Sequence, residues 1–182
     1  RWTRMLLGST NAYGNPTPIV VDGTVFLSSA NGQVSAVDAT SGALRWQSTD
    51  RLYTEPMDEG SAFPNQPAQV TFGDGILFVS TPAGDLLALD SGDGGLRWSV
   101  NITDQLAIRS SGTRLIATRA GLLLLAIVTP EAFGTTPDET QWALFDPAAG
   151  NVVRDGRLEG WASGAIVQDR TLFIALRRIE AG

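Results

Sequence analysis

Chemistry in this chain would have to come from carboxylates, tyrosines and hydroxyls. The sequence has no Cys and no His, and all 13 of its basic residues are Arg. The usual general base and the commonest metal ligand are therefore absent, and neither a thiolate site nor a disulfide can form. DSGDGG (residues 90–95) sets Asp90 and Asp93 among glycines, faintly like a calcium loop. It lacks the alternating ligands and closing Glu of such a loop, so a structural turn is the expected reading. Asn101-Ile102-Thr103 matches a glycosylation sequon, a pattern short enough to arise by chance. No residue is singled out as catalytic, cofactor-binding or metal-ligating.

The frame around these groups is a folded one. A chain of 182 residues with 43% hydrophobic and 18% charged residues can bury a sizeable core. The net charge of −6 argues against a broad surface for nucleic acid or anionic membrane. The longest apolar run, residues 122–128, is too short for a membrane-spanning helix. The sequence begins without Met, and the expectation is that it belongs to a longer polypeptide.

Internal repetition organises the rest. NGQVSAVDATSGALRW (31–46) returns 52 positions later as AGDLLALDSGDGGLRW (83–98), with seven identities. Upstream of each copy lies an apolar segment, an Asp-Gly turn and a second apolar segment, the signature of a hairpin. These are PIVVDGTVFLSS (18–29) and QVTFGDGILFVS (69–80), and two weaker copies follow at 113–128 and 164–175. Each of the first three hairpins precedes a third strand ending in Asp (32–38, 84–90, 141–146) and a fourth starting near Leu44, Leu96 or Val152. Four antiparallel strands in a repeat of about 50 residues predict an all-β fold made of β-propeller blades. No stretch shows useful helical periodicity.

The phase of the repeat sets the expected boundaries. Residues 1–12 would be the outer strand of a preceding blade, because Arg1-Trp2 matches Arg45-Trp46 and Arg97-Trp98. Residues 13–50, 51–103 and 104–158 would be full blades, the last two with an entry loop and an insertion. Residues 159–182 would be the first half of another. The remaining blades of a larger ring, of seven or eight blades, are expected from the same chain, with a second chain as the alternative.

The pattern Ala-x-Asp-x-x-(Ser/Thr)-Gly-x-x-x-Trp resembles the tryptophan-docking motif of the pyrroloquinoline-quinone (PQQ) type propeller repeats. It occurs as Ala36, Asp38, Ser41, Gly42 and Trp46, and again as Ala88, Asp90, Asp93, Gly94 and Trp98. A decayed copy has Asp146 and Gly150, but Arg154 where Trp is expected. The resemblance implies that each Trp docks on the motif Gly of the next blade: Trp2 on Gly42, Trp46 on Gly94, Trp98 on Gly150. Burying an indole of roughly 150–250 Å² at about 25 cal/mol/Å² gives at most ~4–6 kcal/mol per dock. Arg154 would weaken the last junction or pair there with an acidic group.

The same family includes quinoprotein dehydrogenases, in which quinone stacks on a disulfide of adjacent cysteines beside a metal. A chain without Cys cannot supply that lid, so the resemblance carries over architecture and no catalytic residue. It implies instead a non-enzymatic, extracytoplasmic scaffold for protein–protein assembly in a membrane-associated complex, like the propeller lipoprotein of the outer-membrane barrel-assembly machinery. A sensor or ligand-binding ectodomain is one alternative, and a fragment of a quinoprotein dehydrogenase is another. Loops on a rigid frame are where such contacts are expected. The candidates are Tyr53, Met57, Asp58, Glu59 and Phe63 in the loop 49–67, Phe133 in the insertion 129–140, and Trp161 before a first strand. Trp142, in a third strand, is expected to pack between blades.

Overall fold

The structure, a computed structural model, describes residues 3, 17–29, 33–48, 68–81, 84–106, 110–118, 121–128, 139–168 and 171–177. Strands β1 (Ile19–Val21), β2 (Thr24–Ser28), β3 (Val34–Asp38) and β4 (Leu44–Gln47) form one sheet in sequential order. A second sheet holds β5 (Gln69–Gly73), β6 (Ile76–Ser80), β7 (Asp85–Asp90) and β8 (Leu96–Asn101). A third holds β9 (Ser110–Thr118), β10 (Gly121–Val128), β11 (Glu139–Phe145) and β12 (Val152–Glu159). Strands β13 (Trp161–Gln168) and β14 (Thr171–Arg177) pair with each other. Every connection in these antiparallel sheets links neighbours, so each is a simple meander.

The chain clusters into two compact units, Arg1–Ser99 and Val100–Gly182. In the first, Asp22-Gly23 and Asp74-Gly75 are two-residue hairpin loops with positive φ at both positions (46° and 70°, 49° and 76°). That is the primed turn whose twist matches the strands it joins. The core lies between the facing surfaces of the two sheets. Phe26, Val34, Ala36 and Trp46 from one meet Leu77, Val79, Leu87 and Leu89 from the other, with Phe72 stacked on Phe26 at 6.0 Å. The Ser28 hydroxyl donates to the Ala68 carbonyl, tying the end of β2 to the start of the second sheet.

In the second unit, Leu123 and Leu125 of the third sheet pack with Ala162, and with Trp142, Leu144, Ala165 and Ile174 around them. Fully buried Thr140 stitches β11 to β13. Its hydroxyl donates to the Gly160 carbonyl at 2.7 Å and accepts from the Ala162 N–H at 2.8 Å. A single helical turn, α1 (Ile102–Leu106), departs from the strand-only reading. Asn101 Oδ1 accepts from the Asp104 N–H at 3.1 Å and caps it. Five residues are too few to show the 3.6 period that sequence reading depends on.

Candidate functional site

The repeated motif builds one turn three times. The motif Gly N–H donates to the motif Asp carbonyl at 2.8 Å in each case: Gly42 to Asp38, Gly94 to Asp90, Gly150 to Asp146. The glycines sit at φ 70°, 78° and 74°. Asp closes the strand because its carboxylate collects the turn's free donors. Asp38 Oδ1 accepts the N–H groups of Thr40 (3.0 Å) and Ser41 (2.8 Å) and the Ser41 hydroxyl. Asp90 Oδ1 accepts from the Gly92 N–H, and Asp146 Oδ1 from those of Ala148 and Ala149.

In the first two turns an arginine closes the other carboxylate oxygen. Arg45 meets Asp38 Oδ2 at 2.8 Å, the Thr24 hydroxyl at 2.6 Å and the Gly23 carbonyl at 3.3 Å, joining three strands. Arg97 meets Asp90 Oδ2 at 2.6 Å. The Arg45 guanidinium, reinforced by the Ser41 N–H and hydroxyl, holds the Asp38 carboxyl well below the usual range. Arg97, with the Gly92 N–H, lowers that of Asp90. Both follow the rule that groups bonding the charged form favour it. Sequence reading assigns no role to the repeated Arg. Its spacing of seven residues from Asp in both copies was the available signal.

Trp46 joins the first sheet to the second. Its indole N–H donates to the Ser91 carbonyl at 2.9 Å, and its ring lies over Gly94 so closely that a Cβ there would be 2.7 Å from Trp46 Cε3. Only a residue without a side chain admits this approach. On the same side of the first sheet, Phe26, Ala36 and Trp46 stand opposite one another on three successive strands. The small Ala36 lets the two rings meet above it, 6.0 Å apart and tilted by 44°. Phe78 and Trp98 repeat the arrangement at 6.0 Å and 43°, with Ala88 opposite Phe78.

The third sheet departs from this plan. Val153 stands at the arginine position, 63% exposed, and Arg154 at the tryptophan position. Arg154 lies over the ring of Trp142, 6.0 Å from its centroid. The expectation for Arg154 was a weaker junction or an acidic partner; the contact found among the described residues is an aromatic one. Guanidinium is weakly hydrated and stacks readily on an indole face. Trp142 stands opposite Gly156, where an added Cβ would approach the indole to 2.9 Å. Here the glycine lies on the neighbouring strand of the same sheet, so this ring-on-glycine contact is within a sheet and not between sheets. Trp142 also touches the cluster shared with β13–β14.

The remaining candidates fall elsewhere. Trp2, Tyr53, Met57, Asp58, Glu59, Phe63 and Phe133 lie outside the described residues. Trp161 opens β13 opposite Arg177, and its side chain is likewise outside them. Trp98 and Gly150 belong to different units.

The sequence profile described as "Outer membrane protein assembly factor BamB" matches residues 1–123, more than half of the chain. The chain belongs to this family. BamB of Moranella endobia (strain PCIT) is 30% identical over 128 residues, 64% of this chain and 32% of that protein. The dehydrogenase subunit of the quinone alcohol dehydrogenase of Gluconacetobacter polyoxogenes is 34% identical over 93 residues, 50% of this chain and 12% of that one. The chain thus spans a third or less of the length of either relative. Among solved structures, BamB from Moraxella catarrhalis superposes with a TM-score of 0.53 at 19% identity, covering 85% of this chain and 44% of that one. This is a likeness of fold, and the fold is a partial β-propeller.

The dehydrogenase relative raises the question of a quinone and its metal. Among the described residues no group of three or more His, Cys, Asp or Glu side chains could hold a metal ion. Asp38 and Asp90 are engaged by their own turns and arginines.

Proposed function

We propose that this BamB-family chain is part of a non-enzymatic propeller scaffold that serves assembly within an extracytoplasmic, membrane-associated protein complex. One observation carries the reading: the repeated polar and aromatic residues are engaged in holding strands and sheets together. Asp38 and Asp90 are clasped by Arg45 and Arg97, while Trp46 is seated on Gly94 and bonded to Ser91. The loops at 49–67 and 129–140 supply partner contacts through Tyr53, Met57, Asp58, Glu59, Phe63 and Phe133, together with Trp161. The matched BamB profile and relatives support the assembly role and the location outside the cytoplasm.

The second reading, part of a quinone-dependent alcohol dehydrogenase, is favoured by the 34% identity to that subunit. One pair of measurements separates them. Removing the gene from its native host should lower the amount of folded outer-membrane barrel protein. The full-length protein, supplied with PQQ and calcium, should show no dye-linked oxidation of alcohols. Turnover of alcohol, with barrel assembly undisturbed by the deletion, would replace the scaffold with the enzyme.

A further inference from the structure

The fourth strands of the three four-stranded sheets present different edges. β4 and β8 run four and six residues, and each carries one basic residue and no acid. That base is committed to its own sheet, Arg45 to Asp38 and Arg97 to Asp90. β12 runs eight residues and carries Arg154, Asp155, Arg157 and Glu159. One side of it pairs with β11 along its length, and the other borders no strand among the described residues.

Successive side chains of a strand point to opposite faces. On one face of β12, Arg154 lies over the Trp142 ring, and Gly156 stands opposite Trp142. The other face carries Asp155, Arg157 and Glu159, all exposed. Arg157 reaches Glu139 at 3.3 Å, with its side chain still 68% exposed. Asp155 makes no ion pair among the described residues. An acid and a base therefore stand two positions apart on an open edge.

Charges on an edge strand deter indiscriminate pairing. An alternating row deters every register except one that matches its signs. We propose that β12 pairs antiparallel with β12 of a second copy of this chain, across a two-fold axis beside Gly156. In that register Asp155 of each copy faces Arg157 of the other. Arg154 falls opposite Leu158 and Val153 opposite Glu159, so no like charges meet. The neighbouring registers fail: one sets Asp155 against Asp155, the other Arg157 against Arg157 and Asp155 against Glu159. Opposite charges directly across a strand pair stabilise it and like charges destabilise it. The strand thus complements itself about a two-fold axis, as an isologous contact requires. Edge pairing buries little area beside a standard interface, so the association is weak and is read at high protein concentration.

The test uses two variants of the full-length protein, Asp155→Cys and Arg157→Cys, oxidised separately and then as a mixture. No Cys among residues 1–182 competes with them. Residues directly opposite in an antiparallel pair have Cα atoms about 4.5–5.5 Å apart, within disulfide range. Only in the mixture does one introduced cysteine face the other, and there the reciprocal Arg157–Asp155 pair stays intact. The mixture should yield at least about fivefold more covalent dimer than either variant alone. In sedimentation at high concentration the parent should associate, and Asp155→Arg, with unchanged far-UV circular dichroism, should not. Equal cross-linking in the mixture and the single variants overturns the proposal. So does association that Asp155→Arg leaves unchanged, or a parent that stays monomeric, because the edge then serves another partner or none.

Discussion

The turns at 90–94 and 146–150 share a backbone, with the same 2.8 Å bond from Gly N–H to Asp carbonyl and φ of 78° and 74°. They differ in what surrounds them. Trp46 rests on the first, and Arg97 closes it. Beyond the second, the Arg-Trp pair has become Val153-Arg154, and Arg154 turns to Trp142 instead. The comparison teaches that the turn is a local product of Asp and Gly, made without its fastener. Joining one sheet to another is a separate property, carried by side chains several residues away. A blade can therefore keep its shape while its attachment is rebuilt.

Removing an attachment of each kind should sharpen this contrast. Trp46→Ala empties the space between Phe26 and Gly94 and leaves the Ser91 carbonyl without its indole partner. It should cost about 3–5 kcal/mol in urea melts followed by circular dichroism. Arg154→Ala removes one exposed cation–π contact and should cost about 0.5–1 kcal/mol. Equal losses would mean that the third sheet depends on its substitute as heavily as the first depends on its dock.

Acid should probe the clasps more gently. Both carboxyls have folded pKa values below their unfolded ones, so their contribution is present above about pH 3.9. It is lost as pH falls through the folded values. Carboxyl NMR titration should place the Asp38 and Asp90 midpoints below the ordinary Asp value. Arg45→Ala should move the Asp38 midpoint upward and leave that of Asp90 in place. An unmoved Asp38 would show that the turn's own donors, and not the guanidinium, set its charge.

Much of the fold could be read from period and punctuation. Asp-Gly turns, short apolar segments and a repeat near 50 residues define the meanders, since each signal is local in the chain. What escaped reading depends on register across strands. Nothing within the third strand alone places Ala36 between Phe26 and Trp46, or sets Gly156 beneath Trp142. The arginine clasps were legible in principle from the constant Asp-to-Arg spacing. Helix α1 was not, because its cause is a single capping side chain.

The seating of Trp46 on Gly94 is tested most directly by a double-mutant cycle, with Gly75 as the reference. Gly75 has φ 76° and no atom within 4 Å of an added Cβ, while Gly94 has φ 78° and the indole at 2.7 Å. Ala at Gly75 should cost only the left-handed backbone, about 1–2 kcal/mol, and Ala at Gly94 about 1–3 kcal/mol more from overpacking. In the Trp46→Ala background that excess should disappear, giving a coupling of at least about 1 kcal/mol. Strictly additive losses would mean that the indole does not rest on Gly94, and the joint between the two sheets would have to lie elsewhere.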